Sequence, residues 1–127
     1  MPGMRTLLST LCFLTLTATG LRAELTVKAY RENLASSDSA VVRETRAYVL
    51  GLGEGMQFAD IELEATKQVH IYCQPAKLAV TIENYIDILD RQIADASTFL
   101  TEARLNETTI DILLMAGLKE TFPFKGK

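Results

Sequence analysis

Two short groupings in this chain carry side chains that could do chemistry. His70 and Cys73 stand in the spacing H-x-x-C, and Gly51, Gly53 and Gly55 alternate through the stretch GLGEG. H-x-x-C could be half of a metal site or a thiol beside its base. Zinc takes three or four protein ligands, and the only other cysteine or histidine is Cys12, in the N-terminal stretch treated below. Glu62 or Glu64 would have to complete such a site. A cysteine nucleophile needs an adjacent base and a group that orients the base, and the sequence offers no third member. The expectation is a tucked cysteine beside a surface histidine, with no catalytic residue, bound metal or cofactor. The glycines fail as a phosphate cradle. A dinucleotide fingerprint needs a third glycine where Met56 stands, a P-loop needs Gly-Lys-Ser/Thr at its end, and nothing before Ala47 reads as a buried strand. The acids Asp87, Asp90 and Asp95 could do acid–base work only where a cleft raised one pKa; their spacing predicts a solvated helix face.

The elements that would position these residues are helical. ELTVKAYREN reads as a short helix or an extended arm, with Leu25, Ala29 and Tyr30 facing inward. ASSDSA is a capping cluster, and Asp38 or Ser39 can receive the first free N–H groups of a helix. From there Val41, Tyr48, Val49, Leu52, Met56 and Ala59 form a helical stripe ending near Ile61. In a helix the three glycines cost about 3 kcal/mol relative to alanines. Gly51 and Gly55 fall on one flank of the stripe, which predicts close approach of another helix there; Gly53, on the other flank, has no such role. Val69, Ile71 and Cys73 then alternate with His70 and Tyr72, and Pro75 disfavours a helix through Gln74, so residues 62–80 are expected to be an ordered, irregular connection with a short extended piece. Thr81 opens the cleanest helix, with Ile82, Tyr85, Ile86, Leu89 and Ile93 on one face and Glu83, Asn84, Asp87, Asp90 and Arg91 opposite. Phe99 and Leu100 anchor a turn and a short helix. Asn106, which also heads the glycosylation sequon NET, reads as the cap of a last helix that is enclosed on most sides and ended by Pro123. The predicted fold is all-α, a small bundle of four to five helices.

The first residues read differently from the rest. Arg5 precedes the apolar run LLSTLCFLTLTATG, and small residues at Ala18 and Gly20 suit a processing site. The expectation is a cleavable signal over residues 1–20, with a second cleavage point after Ala23 and a retained anchor as the competing reading. Residues 24–127 then form a single domain, large enough to bury a core. Losing residues 1–23 removes Arg5 and Arg22 and no acid, so the formal charge moves from −3 to −5. Nucleic acid and anionic lipid call for a basic face, so neither is an expected partner, nor is a membrane once the leader is gone. Cys73 remains as an odd thiol, open to intermolecular pairing, burial or reactivity.

The order of features resembles the Rap/Tai family of bacterial immunity proteins. It covers residues 44–124 through YVLGLGEGMQFA, YCQPAKLAVTIENYIDILDRQI and LMAGLKETFPF. The matching positions are Tyr48, Gly51, Gly55, Cys73, Pro75, Thr81, Tyr85, Leu118, Phe122 and Pro123. The resemblance implies a periplasmic helical protein, often dimeric, that binds a cell-wall amidase delivered by type VI secretion and obstructs its cleft without catalysis of its own. One departure stands out: the family's terminal cysteine, the usual partner of Cys73, falls at Phe124. The alternative function is a structural or chaperone-like protein of the cell envelope without a toxin partner.

Overall fold

The computed structural model describes residues 24–125; the signal assignment and the last two residues lie outside that range. The chain folds as an all-α bundle of five helices: α1 (Val27–Leu34), α2 (Ser39–Lys67), α3 (Ile82–Ala96), α4 (Glu102–Glu107) and α5 (Ile110–Thr121). Four of the five starts, all but that of α5, have a capping side chain. The Thr26 hydroxyl receives the Ala29 N–H, Asp38 receives that of Ala40, and Thr101 that of Arg104. Thr81 and Asn84 cap α3 reciprocally, the Thr81 hydroxyl receiving the Asn84 N–H while the Asn84 side chain receives that of Thr81. Thr81→Ala is expected to cost about 1 kcal/mol, measurable as a lower urea midpoint at unchanged slope.

The centre of the bundle is α3, which packs on α5 and α2, while α1 packs on α2 and α4. Tyr85, Ile88, Leu89, Ile93 and Ala96 of α3 are buried against Ile110, Leu113, Leu114 and Leu118 of α5 and Val49 of α2. Gly117 lets α3 and α5 close up: a Cβ there would stand 2.5 Å from Ile88 Cγ2 and 2.7 Å from Gln92 Cγ. The N-terminal arm is tied across the bundle by an isolated antiparallel bridge between Thr26 and Thr109, where Val27 N–H donates to Thr108 O and Ile110 N–H to Leu25 O, both at 2.9 Å. On the surface Arg46 of α2 pairs with Glu83 of α3. The Glu83 carboxyl is held below its usual range, first by the backbone N–H groups at the start of α3 and then by Arg46.

Several expectations are corrected. Helix α2 runs to Lys67 rather than Ile61, because no proline or glycine stops it before Gln68, whose left-handed conformation (φ 55°) closes it. The cap of α5 is Thr109; Asn106 lies inside α4, and α5 buries one face while Ile112 stays exposed. Phe99 is 76% exposed, and Leu105 anchors the short helix instead. In the connection the alternation does not hold: Tyr72 is buried, Ile71 packs against the core beside it and Val69 is exposed, with no strand among the described residues.

Three tyrosines, Tyr30, Tyr72 and Tyr85, are almost wholly buried. Burial raises all three phenols. For Tyr30 the hydrogen bond it donates to Asp90 (2.8 Å) adds to the effect, and Tyr72 is pushed up to about 12. Above about pH 10 the unfolded chain sheds phenolic protons that the folded chain keeps. The folded state then binds more protons, so stability is complete below pH 10 and is lost as the pH rises through about 12. Urea midpoints taken from pH 9 to 12 are expected to fall over that window, and Tyr30→Phe is expected to flatten the fall.

Candidate functional site

The connection between α2 and α3 is irregular, yet it is held at several points. Asp60, near the end of α2 and only 7% exposed, turns its carboxylate toward it. Oδ1 receives the backbone N–H groups of Ile71 and Tyr72, and Oδ2 lies 3.2 Å from His70 Nδ1. The other ring nitrogen, His70 Nε2, is 3.4 Å from Glu64 Oε1. The Cys73 N–H donates to Phe122 O at 2.8 Å. The Tyr72 ring lies against Phe122, and the His70 ring lies 6.0 Å from that of Phe124. Residues 70–73 are thus fastened to α2 on one side and to the end of α5 on the other. A carboxylate shared by two backbone donors and an imidazole is a strong fastening, since charge-assisted bonds are about twice as strong as neutral ones.

This geometry decides the H-x-x-C question locally. His70 and Cys73 line one cavity of about 620 Å³, together with Glu64, Gln68, Phe124 and Lys125. Both ring nitrogens of His70 face carboxylates, so neither is presented to the thiol as a base. Among the described residues no group of three or more histidine, cysteine, aspartate or glutamate side chains is placed to hold a metal ion. His70 is accordingly not the surface residue expected; it is half-buried and engaged, while Cys73 is half-buried and free. The acids of α3 are exposed as expected, but Asp90 is committed to Tyr30. Asp87 and Arg91 border a separate trough of about 840 Å³, floored by Ile88 and walled by Leu78, Val80 and Phe122.

The glycines separate in a way the helical wheel does not show. Gly53, the one without an expected role, is buried: a Cβ there would lie 2.4–2.6 Å from atoms of the Tyr85 ring. Gly51 and Gly55, expected to lie under another helix, face open space, with nothing within 4 Å of a Cβ at either. The close approach exists, but at the third glycine, because α3 crosses α2 on the face that carries Val49 and Gly53. Among the described residues, no element covers the opposite face of α2. Phe58 is 73% exposed and Ile61 51% exposed on it. Ala47, Gly51, Gly55 and Ala65 are exposed there too, and Glu54 and Glu62 flank Phe58 about 40° to either side. Sequence reasoning missed this surface, although at 100° per residue Phe58 falls about 180° and Ile61 about 120° from Val49.

Of the residues carried by the resemblance, Tyr85 is buried in the core, and Thr81 is the cap of α3. Cys73 and Phe122 meet through their backbones, Pro75 lies in the connection, Pro123 follows α5, and Tyr48 is 37% exposed on α2. The chain matches no family model, no curated protein and no solved structure. No helix among the described residues is long and apolar enough to cross a membrane.

Proposed function

We propose that this chain is a non-enzymatic binding protein of the bacterial periplasm that engages another protein through a helical surface. The observation that carries the reading is the exposed face of α2, where Phe58 and Ile61 present large apolar side chains opposite the face that packs through Val49 and Gly53. Exposed apolar side chains that cluster on one face mark interaction sites more often than scattered ones do. The finer reading, an immunity protein that blocks a secreted peptidoglycan amidase, draws on the Rap/Tai-like order of motifs. It is supported by the placement of Cys73 and Phe124, the two positions at which that family carries its disulfide, on one cavity.

The direct test is co-purification with an amidase encoded beside this chain and inhibition of its cell-wall cleavage in vitro. Absence of binding, together with unchanged survival of a deletion strain exposed to the effector, would sink the immunity reading and leave the chaperone-like envelope role. The disulfide geometry has its own test. Phe124→Cys is expected to join Cys73 under mild oxidation, seen as a two-proton mass loss without reduction, and to stabilise the fold by about 2–4 kcal/mol.

A further inference from the structure

The uncovered face of α2 has a chemical character beyond being apolar. From Ala47 to Thr66 the helix carries no lysine or arginine, and it carries Glu54, Asp60, Glu62 and Glu64. Asp60 and Glu64 are engaged with the connection, and Arg46, the nearest base before this stretch, is paired with Glu83. Glu54 and Glu62 are exposed and unpaired with any cation among the described residues. The exposed stripe from Ala47 to Ala65 is about 27 Å long at 1.5 Å per residue. Its middle is shallow, because Gly51 and Gly55 have no side chain, and one end is raised by Phe58 and Ile61.

We propose that this face docks an amphipathic helix of another protein, one with small or aliphatic residues on its contact stripe and lysines or arginines along its edges. The proposal rests on the binding-protein reading above and names the surface and the partner's chemistry. A ridge of the incoming helix sits in the groove over Gly51 and Gly55, as helices pack ridge into groove. Phe58 and Ile61 supply the desolvated anchor, and the basic edges of the partner answer Glu54 and Glu62. The charges set orientation and encounter rate, while the aromatic anchor supplies most of the affinity. A second copy of this chain is the wrong occupant: α2 against α2 would set Glu54 and Glu62 of one chain against the same acids of the other, in a protein of net negative charge.

The test uses the full chain with a photocrosslinking phenylalanine analogue at position 58. The probe is a synthetic 18-residue amphipathic helix with a leucine–alanine stripe edged by lysines, and the control carries glutamates in place of those lysines. The lysine helix is expected to bind, to crosslink at position 58, and to weaken as salt rises from 50 to 500 mM; the glutamate helix is expected not to bind. Phe58→Ser and Gly55→Leu are each expected to weaken binding about tenfold. Circular dichroism should stay unchanged, since the space at Gly55 is open. No binding of the lysine helix, equal binding of both helices, or affinity unmoved by both variants overturns the proposal. So does crosslinking in the free protein to a second copy or to residues 1–23. An amidase inhibited equally by the Phe58→Ser chain would refute this surface and leave the immunity reading intact. Lysine-helix binding without any amidase partner would do the reverse.

Discussion

Gly53→Ala is expected to destabilise the protein by about 2 kcal/mol, whereas Gly51→Ala and Gly55→Ala, two residues away on either side in the same helix, are expected to stabilise it by about 0.5–1 kcal/mol each. Alanine is the better helix former at all three positions by about 1 kcal/mol. At Gly51 and Gly55 nothing opposes that gain, because an added Cβ meets nothing within 4 Å. At Gly53 the same methyl group would enter the ring of Tyr85 at 2.4 Å. Tyr85 is 1% exposed and is hemmed in by the core, so it cannot swing aside as a surface side chain would. Either the ring leaves its rotamer or α2 and α3 move apart, and overpacking of this kind costs about 1–3 kcal/mol. For a domain of this size the loss at Gly53 is a fall in Tm of about 10 °C, and the gains are each a rise of a few degrees. Thermal unfolding of the three single variants checks the opposite signs. Equal effects at the three glycines would mean that α3 does not cross α2 where the structure places it.

The second large effect is expected at Asp60. Asp60→Ala leaves the backbone N–H groups of Ile71 and Tyr72 without their acceptor and takes a carboxylate from His70. Buried donors stripped of a charged partner cost about 1–3 kcal/mol apiece, so a loss of about 3 kcal/mol is expected. Asp60→Asn keeps the oxygen that receives both backbone donors, and its amide can donate to His70 Nδ1 in the other tautomer. Its expected loss is about 1 kcal/mol. Amide exchange distinguishes the two: Ile71 and Tyr72 should exchange fast in the alanine variant and remain protected in the asparagine one. Release of residues 70–73 would also change the shape of the cavity shared by His70, Cys73 and Phe124.

Local periodicity and capping chemistry carried much of the fold. Asp38 and Thr81 start α2 and α3 as their side chains dictate, the stripe Tyr85, Leu89 and Ile93 is buried, and Pro123 follows the last helix. The errors share one physical origin. A helical wheel gives angles around an axis but not which angle a neighbouring helix occupies. The apolar stripe of α2 spans a wide arc; pairing on one flank pointed to Gly51 and Gly55, but the direction of α3 put the close contact at Gly53 on the other. Asn106 has the side chain of a cap, but α4 runs through it, and α5 starts after Thr109, whose backbone is bridged to Thr26 and whose side chain makes no cap bond.

The same division holds for the candidate site. The reading against a phosphate loop, a full metal set or a catalytic triad rested on residue types and spacing, because such chemistry demands particular side chains at particular intervals. The engagement of His70 by Asp60 and Glu64 spans ten and six residues and depends on α2 continuing to Lys67, which short-range patterns did not foresee. The helical stripe Val41, Tyr48, Val49, Leu52, Met56 and Ala59 left Phe58 without a role and used Ile61 only as a helix end. Only the tertiary structure shows that α3 and α1 cover the other side of α2 and leave these two outside. Local sequence determines which backbone each segment adopts, since caps, prolines and periodicity act within a few residues. Burial and exposure are decided by contacts between segments distant in the chain, and those set which glycine lies under a neighbouring ring and which face of α2 the other described elements leave exposed.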